Sequence, residues 1–499
     1  MARAVAMVTG AVTVSYALDR LGATEYGIFG IVGSVMGLLG LIDMGLYGAV
    51  LRFTSQDQAS GDRQRLRATY STALVTLSAL GAAGAVLMIA VTPWVKTFFA
   101  IEERYYQGLI GLNICLAVSF ALNFVCITNL SVLAGGNRYD LLNAVEIVAS
   151  LVRLGLLVLF FECLGVSLPL FGLTYVLSQV IRLTGFASLS RWSVARERLF
   201  SLSAVSPAAL RRLAGFSVIN AVAMVGWLLM LQGPNLLIGR MLGPAMVAAF
   251  AAPLLVGSSL RALIMGLTSP LIPLAGREAA EGRQANLGEW SVRLSRLSCI
   301  LGLAIVLPLS IFARPILHHW IGSGYVWTAP VFIVMIVAQL VVSVQLTNYY
   351  LVLGGGNIVP WAAGQIAACI AAFAVAIAGH ALWGWELLGI VSSFAIADVV
   401  RCGLHFPLVC CRSCGVRVAR YYWQAYGRPL IPAVAAGAVS LALIGWRPPD
   451  SVRLLAWQGL LNVLLFGMGV YFVALDAGDR DLLHGYVQSA VRRAREAMG

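Results

Sequence analysis

Apolar runs recur along the whole chain, near 1–18, 26–50, 70–91, 109–133, 141–161 and 168–188. A second set follows near 216–239, 247–272, 297–312, 329–352, 359–378 and 383–409, and two more lie near 430–444 and 457–475. An apolar run of about twenty residues crosses the ~30 Å hydrocarbon core of a bilayer as one helix. The pattern therefore predicts an all-α polytopic membrane protein with about fourteen transmembrane helices. The runs at 297–312 and 430–444 are short for a span. Loops between the runs stay under about 30 residues, too few to fold as a separate domain.

The runs repeat. Leu21-Gly22 matches Leu242-Gly243 and Met44-Gly45-Leu46 matches Met265-Gly266-Leu267, both at an offset of 221. Val132-Leu133-Ala134-Gly135-Gly136-Asn137 matches Val352-Leu353-Gly354-Gly355-Gly356-Asn357 at 220, and Gln179-Val180-Ile181-Arg182 matches Asp398-Val399-Val400-Arg401 at 219. Six helices separate the copies, and an even number makes the repeats parallel, related by an axis along the membrane normal. The expected organisation is an N-lobe over 1–188 and a cytoplasmic basic linker over 189–213. A C-lobe follows over 214–409, then a cytoplasmic loop, two C-terminal helices and a cytoplasmic tail over 410–499. Mapped through the offset, the seventh helix lands on −5 to 18, so the first is expected to begin before Met1. A cleaved signal peptide over Met1–Asp19 would destroy the repeat.

Composition sharpens the class. Sixty per cent of residues are hydrophobic and 11% charged, against about 25% charged in a soluble domain, which excludes a soluble enzyme and a disordered chain. Long apolar runs exclude an outer-membrane barrel, whose strands alternate in short segments. The only lysine, Lys96, follows Trp94-Val95, so no P-loop exists to cradle a nucleotide phosphate. Neither an H-E-x-x-H nor a G-x-S-x-G pattern occurs, and the protein is read as a non-enzyme without metal or cofactor. Cys411-x-x-Cys414 has metal or redox spacing but lacks a second pair. The net charge of +13 is topology information. The loops and ends assigned to one side carry 23 basic residues and those on the other carry seven, so both termini are expected in the cytoplasm, and nucleic acid is not an expected partner.

A charge at the bilayer centre costs about 2.5–3.5 kcal/mol on the insertion scale, so each one needs a reason. The candidates are Asp43, Glu146, Arg153, Arg182, Arg261, Asp398 and Arg401, with Arg52 at an inner helix end. Glu146 and Arg153 share a helix face, as a clamp between helices or as a cavity wall. Arg182 and Arg401 are repeat mates, placed either to snorkel to inner headgroups or to face a wet interior. Tyr175, Ser178, Gln179 and Arg182 form one polar stripe. Arg261 lies mid-helix, and the offset sets it opposite Gly40, one turn from Asp43. It is expected either to face a central cavity or to pair with Asp43. Gly233-Pro234 interrupts the seventh helix as a static kink or as a hinge. Gln339, Ser343, Thr347 and Tyr350 stripe the tenth helix, to meet sugar hydroxyls or to pack helices.

Leu21-Gly22-Ala23-Thr24-Glu25-Tyr26-Gly27-Ile28-Phe29, then Leu41-Ile42-Asp43-Met44-Gly45-Leu46 and Gly61-Asp62, resemble the opening of the polysaccharide transporter, or oligosaccharide flippase, family. That family belongs to the multidrug/oligosaccharidyl-lipid/polysaccharide (MOP) exporter superfamily. The resemblance implies a flippase moving undecaprenyl-pyrophosphate-linked oligosaccharide across the bacterial inner membrane by alternating access, for surface polysaccharide synthesis. It also implies contact with membrane lipids and other polysaccharide-assembly proteins, and a coupling ion, H+ or Na+. Guanidinium groups suit such a substrate because they match phosphate oxygens two at a time. A drug or metabolite antiporter of the same superfamily is the rival reading, followed by a membrane glycan polymerase or ligase.

Overall fold

A computed structural model of the chain describes residues 2–43, 46–193, 199–268, 271, 281, 284–355 and 359–481. Within these, the side chains of 43, 214–223, 284–285 and 353–355 are not described. The described residues are helical throughout, with no strand. Twelve helical stretches are long and apolar enough to cross a membrane. One of these, Ala2–Ile42, joins two of the expected spans across Gly22, and the helix Pro207–Met241 adds the expected seventh. The described residues thus agree with about fourteen spans.

The first span pair shows how the repeat is written in the backbone. Helix α1 (Ala2–Leu39) carries a kink at Gly22, φ 80° and ψ 168°. Its repeat mate Gly243, φ 88°, separates Pro207–Met241 from Pro244–Thr268. Only glycine adopts such a φ without crowding its own Cβ, so the matched Leu-Gly pairs make the same reversal twice. Gly165 and Gly384, also at positive φ, mark corresponding turns later in each copy.

Two expected boundaries move. The run 26–50 is not one helix: α1 passes into a 3-10 turn at Gly40–Asp43, and a separate helix, α2 (Leu46–Ala59), follows. Glycines at 40 and 45 weaken the run there, since each exposes backbone and costs about 1 kcal/mol against alanine in a helix. The stretch 410–429, expected as a loop, is largely helical. Phe406–Cys414 ends on left-handed Gly415, and Val418–Tyr422 continues through a π-turn at Trp423–Gly427 into Arg428–Trp446. The short runs at 297–312 and 430–444 thereby gain full length, as Gln284–Ile311 and Val418–Trp446.

By packing, the chain divides into two compact units. One comprises Met1–Leu255 with Ala362–Ala397, the other Val256–Trp361 with Asp398–Gly499. Sequence duplication and packing thus cut the chain at different places. The described part of the linker 189–213 belongs to the first unit and is held there. Helix α3 (Arg63–Ala90) offers Ser71 and Thr72. Ser71 Oγ donates to the Leu199 carbonyl and accepts from the Ser201 amide, and Thr72 Oγ1 accepts from the Ser206 amide. Arg212 then reaches the buried carboxylate of Asp57 at 3.0 Å, which also accepts from Thr69 Oγ1 at 2.6 Å.

Inside each unit a small polar triad recurs. In the first, Tyr70 and Ser190 both donate to Asn129 Oδ1 at 3.0 and 3.1 Å. In the second, Ser291 donates to Asn348 Oδ1 at 2.6 Å and the Cys410 thiol points at the same oxygen at 3.5 Å. These are the positions that the offsets of 221, 219 and 220 pair.

Candidate functional site: two arginine-bearing sites, one in each unit

Helices α5 (Tyr106–Gly135), α6 (Tyr139–Cys163) and α7 (Leu168–Ser193) pack together in the first unit. Each turns a polar-rich stripe with helical spacing inward. These are Leu116, Ser119, Phe120 and Asn123 on α5, Glu146, Ala149, Ser150 and Arg153 on α6, and Tyr175, Ser178, Gln179 and Arg182 on α7. Residues at i, i+3, i+4 and i+7 share a helix face, so the three stripes, with Met36 of α1, enclose a cavity of about 330 Å³.

The two arginines of this cavity are in opposite states. Arg182 is saturated: Nη2 meets Glu146 Oε1 at 2.7 Å, Nε the same oxygen at 3.1 Å, and Nη1 meets Gln179 Oε1 at 2.5 Å and Asn123 Oδ1 at 3.4 Å. Arg153 makes no hydrogen bond or ion pair among the described residues, and its Nε is buried without a partner. Its guanidinium lies over the Tyr175 ring, 4.8 Å from the centroid, and Phe29 and Phe171 pack around Tyr175. A cation–π contact stabilises such a group by roughly 0.5–2 kcal/mol but leaves its N–H donors unanswered.

In the second unit, Arg261 sits on α9 (Pro244–Thr268), half-buried, with no hydrogen bond or ion pair among the described residues and a buried, unpartnered Nε. The charges it feels are those of Asp398 and Arg401, beside the Cys402 thiol. Asp398 and Arg401 pair with each other one helical turn apart, and Arg401 opens a π-turn over 401–405. One wide turn places an extra residue per loop of helix and re-aims side chains, which is why π-turns gather at functional positions. Repeat mates thus behave alike: Arg182 is held by Gln179, and Arg401 by Asp398, each from three residues earlier.

The other sequence candidates separate. The side chain of Asp43 lies outside the described residues; its backbone belongs to the 3-10 turn that ends α1. Arg52 is exposed on α2 and stacks near Phe53, away from the cavity just described. Gly233 and Pro234 lie inside α8 (Pro207–Met241), which runs through them. A Cβ at Gly233 would stand 2.6 Å from the Phe373 ring, so the glycine admits a close helix crossing. Asn235 donates to Ser34 Oγ at 3.0 Å. The stripe Gln339, Ser343, Thr347 and Tyr350 is buried in the protein, where Gln339 packs on Gly257 and Thr347 meets Ser298 at 3.3 Å.

Sequence reasoning missed one charged assembly. Arg296, 2% exposed, meets Asp476 and Asp479 at 2.5 Å each, with Arg293 and Arg428 completing the group. Asp476 lies beyond the last membrane helix. Burial pushes its carboxyl upward, but hydrogen bonds from Arg296 and Arg428 outweigh that and hold it below the ordinary carboxylate value. Arg293 and Arg296 looked like loop charges counted for topology, and nothing local to 476–479 announced partners some 180 residues earlier.

The fold is that of known exporters. An inward-facing multidrug resistance MATE family transporter of the MOP superfamily superposes with a TM-score of 0.71 at 14% identity, covering 83% of this chain and 94% of that one. The lipid II flippase MurJ in its inward closed conformation gives 0.69 at 12% identity, covering 97% and 98%. The chain is therefore a multi-pass membrane protein with the architecture of the MOP exporters. The Bacillus subtilis (strain 168) uncharacterized membrane protein EpsK is 24% identical over 447 residues, 86% of this chain and 84% of that one. The profile of the polysaccharide biosynthesis protein family matches residues 20–330. The protein belongs to that family, as the Leu21–Phe29 opening led one to expect.

Proposed function

We propose that this protein is a flippase for undecaprenyl-pyrophosphate-linked oligosaccharide in the bacterial inner membrane, with both termini cytoplasmic, working by alternating access and coupled to H+ or Na+. It moves its substrate without making or breaking a covalent bond. Family membership supports a role in polysaccharide assembly. The observation that carries the choice of an anionic substrate is Arg261, a guanidinium inside a membrane span with no hydrogen-bond partner among the described residues. Leaving it unanswered costs several kcal/mol in lipid, and a pyrophosphate answers it with bidentate, charge-assisted hydrogen bonds. Asp398, already committed to Arg401, limits the resting repulsion between the two arginines without neutralising both. Arg401, beside Arg261 in the second unit, would then help hold the anionic head, and the prenyl tail stays in lipid.

The test is flipping of a lipid-pyrophosphate-linked oligosaccharide in proteoliposomes, alongside stability in detergent. Arg261→Ala is expected to fold and lose flipping, and Arg261→Lys to recover only part, because an ammonium keeps the charge but not the planar fork. Full flipping by a stable Arg261→Ala protein would overturn the reading.

A further inference from the structure

The cavity of the first unit holds one positive charge more than it balances. Arg182 is neutralised by Glu146, whereas Arg153 points its buried, unpartnered Nε at no acceptor. Tyr175 fixes the guanidinium plane from one side, so the donors are aimed before any ligand arrives. Ser150 and Tyr175 line the same space with hydroxyls that make no hydrogen bond among the described residues, and the amide of Asn123 stands beside them. About 330 Å³ lies at the lower end of small-ligand sites, suited to one sugar ring rather than an oligosaccharide. Two guanidinium groups and a carboxylate in the lining are wrong for a prenyl or acyl chain.

We infer that this cavity is a recognition subsite for a single carboxylate-bearing sugar, a hexuronic acid unit, with Arg153 taking the carboxylate and Ser150, Tyr175 and Asn123 meeting ring hydroxyls. This rests on the flippase reading above and deepens it: the transported glycan carries an acidic residue that the first unit reads, while Arg261 of the second unit takes the pyrophosphate. A carboxylate matches the one net positive charge of the lining, and the hydroxyls of Ser150 and Tyr175 beside Arg153 answer a sugar ring rather than a phosphate chain. The paired Arg182 serves as a fixed wall, holding Gln179 and Asn123 in place.

Binding to the full-length protein in nanodiscs tests this without transport. Sodium glucuronate, glucose, acetate and inorganic pyrophosphate are titrated calorimetrically against the unsubstituted protein and against Arg153→Gln, Arg153→Lys and Arg261→Ala. Glucuronate is expected to bind at least tenfold more tightly than glucose or acetate, the order of one charge-assisted bidentate contact. Arg153→Gln is expected to lose at least that factor while leaving pyrophosphate binding unchanged, and Arg153→Lys to keep part of it. Arg261→Ala is expected to do the converse. Arg153 gives up only its contact with the Tyr175 ring, so Arg153→Gln should still fold, which size-exclusion chromatography checks. Equal binding of glucuronate by the parent and a folded Arg153→Gln overturns the inference. So does glucose or acetate binding as well as glucuronate, or Arg153→Gln weakening pyrophosphate alone. Flipping assays separate the two readings. Glucuronate binding with no flipping sinks transport alone, and flipping with no glucuronate binding sinks this subsite alone.

Discussion

Asp398→Asn should be among the most damaging single changes in the second unit. Its carboxylate acts on two membrane-embedded arginines, paired with Arg401 and felt by Arg261. The pair is nearly dry: the Arg401 side chain is 5% exposed and that of Asp398 12%. Removing one partner of a buried ion pair typically costs about 3–5 kcal/mol, because the survivor is left uncompensated. Here two cations survive and repel each other, so the upper half of that range is expected. Arg261→Gln alone should cost little, since Arg261 makes no hydrogen bond among the described residues. Added to Asp398→Asn, it should recover a substantial part of the loss by removing one of the two stranded charges. Unfolding by SDS titration from mild detergent micelles measures all three variants, with Asp43→Asn/Arg261→Gln as the comparison for the pairing suggested by the repeat. A cost below about 1 kcal/mol for Asp398→Asn, or a double variant no more stable than Asp398→Asn, would refute the reasoning.

Two further outcomes follow from the geometry. Asp476 has a folded carboxyl held below the ordinary 3.8. The stability it adds is therefore complete above the unfolded value and lost as pH falls through the folded one. Detergent stability should be level from pH 8 to 5 and decline below about pH 4, and Asp476→Asn should flatten that acid limb; an unchanged limb counts against the clamp. At Gly27 a Cβ would stand 1.7 Å from the Pro244 carbonyl oxygen, a backbone atom that cannot swing aside. Gly27→Ala should cost more than about 3 kcal/mol, beyond ordinary overpacking, and yield little monodisperse protein; normal extraction and stability would contradict the close crossing.

Hydropathy determined the membrane class and the approximate number of spans, because a span is a local property: twenty apolar residues suffice whatever lies beside them. The Leu-Gly pairs at 21–22 and 242–243 were legible for the same reason, since a positive φ is demanded by the backbone at one position. The offset paired Arg182 with Arg401, and the structure gives both the same contact three residues back. The 3-10 turn at 40–43 and helix continuation at 410–429 were not legible, because glycine content and polar composition shift local preference by only about 1 kcal/mol per residue, and tertiary packing overrides that.

What tertiary structure alone decided was which charges are answered. Sequence named Glu146, Arg153 and Arg182 together, but only the packing of α5, α6 and α7 shows Glu146 spent on Arg182 and Arg153 left over. In the same way, only the packing of the second unit brings Asp398 beside Arg261. Pairing of charges depends on helices 30 to 180 residues apart meeting at one depth, and no local pattern carries that information. The repeat constrains where such residues stand, and the packed interior, where an unmatched charge is expensive, selects which of them meet.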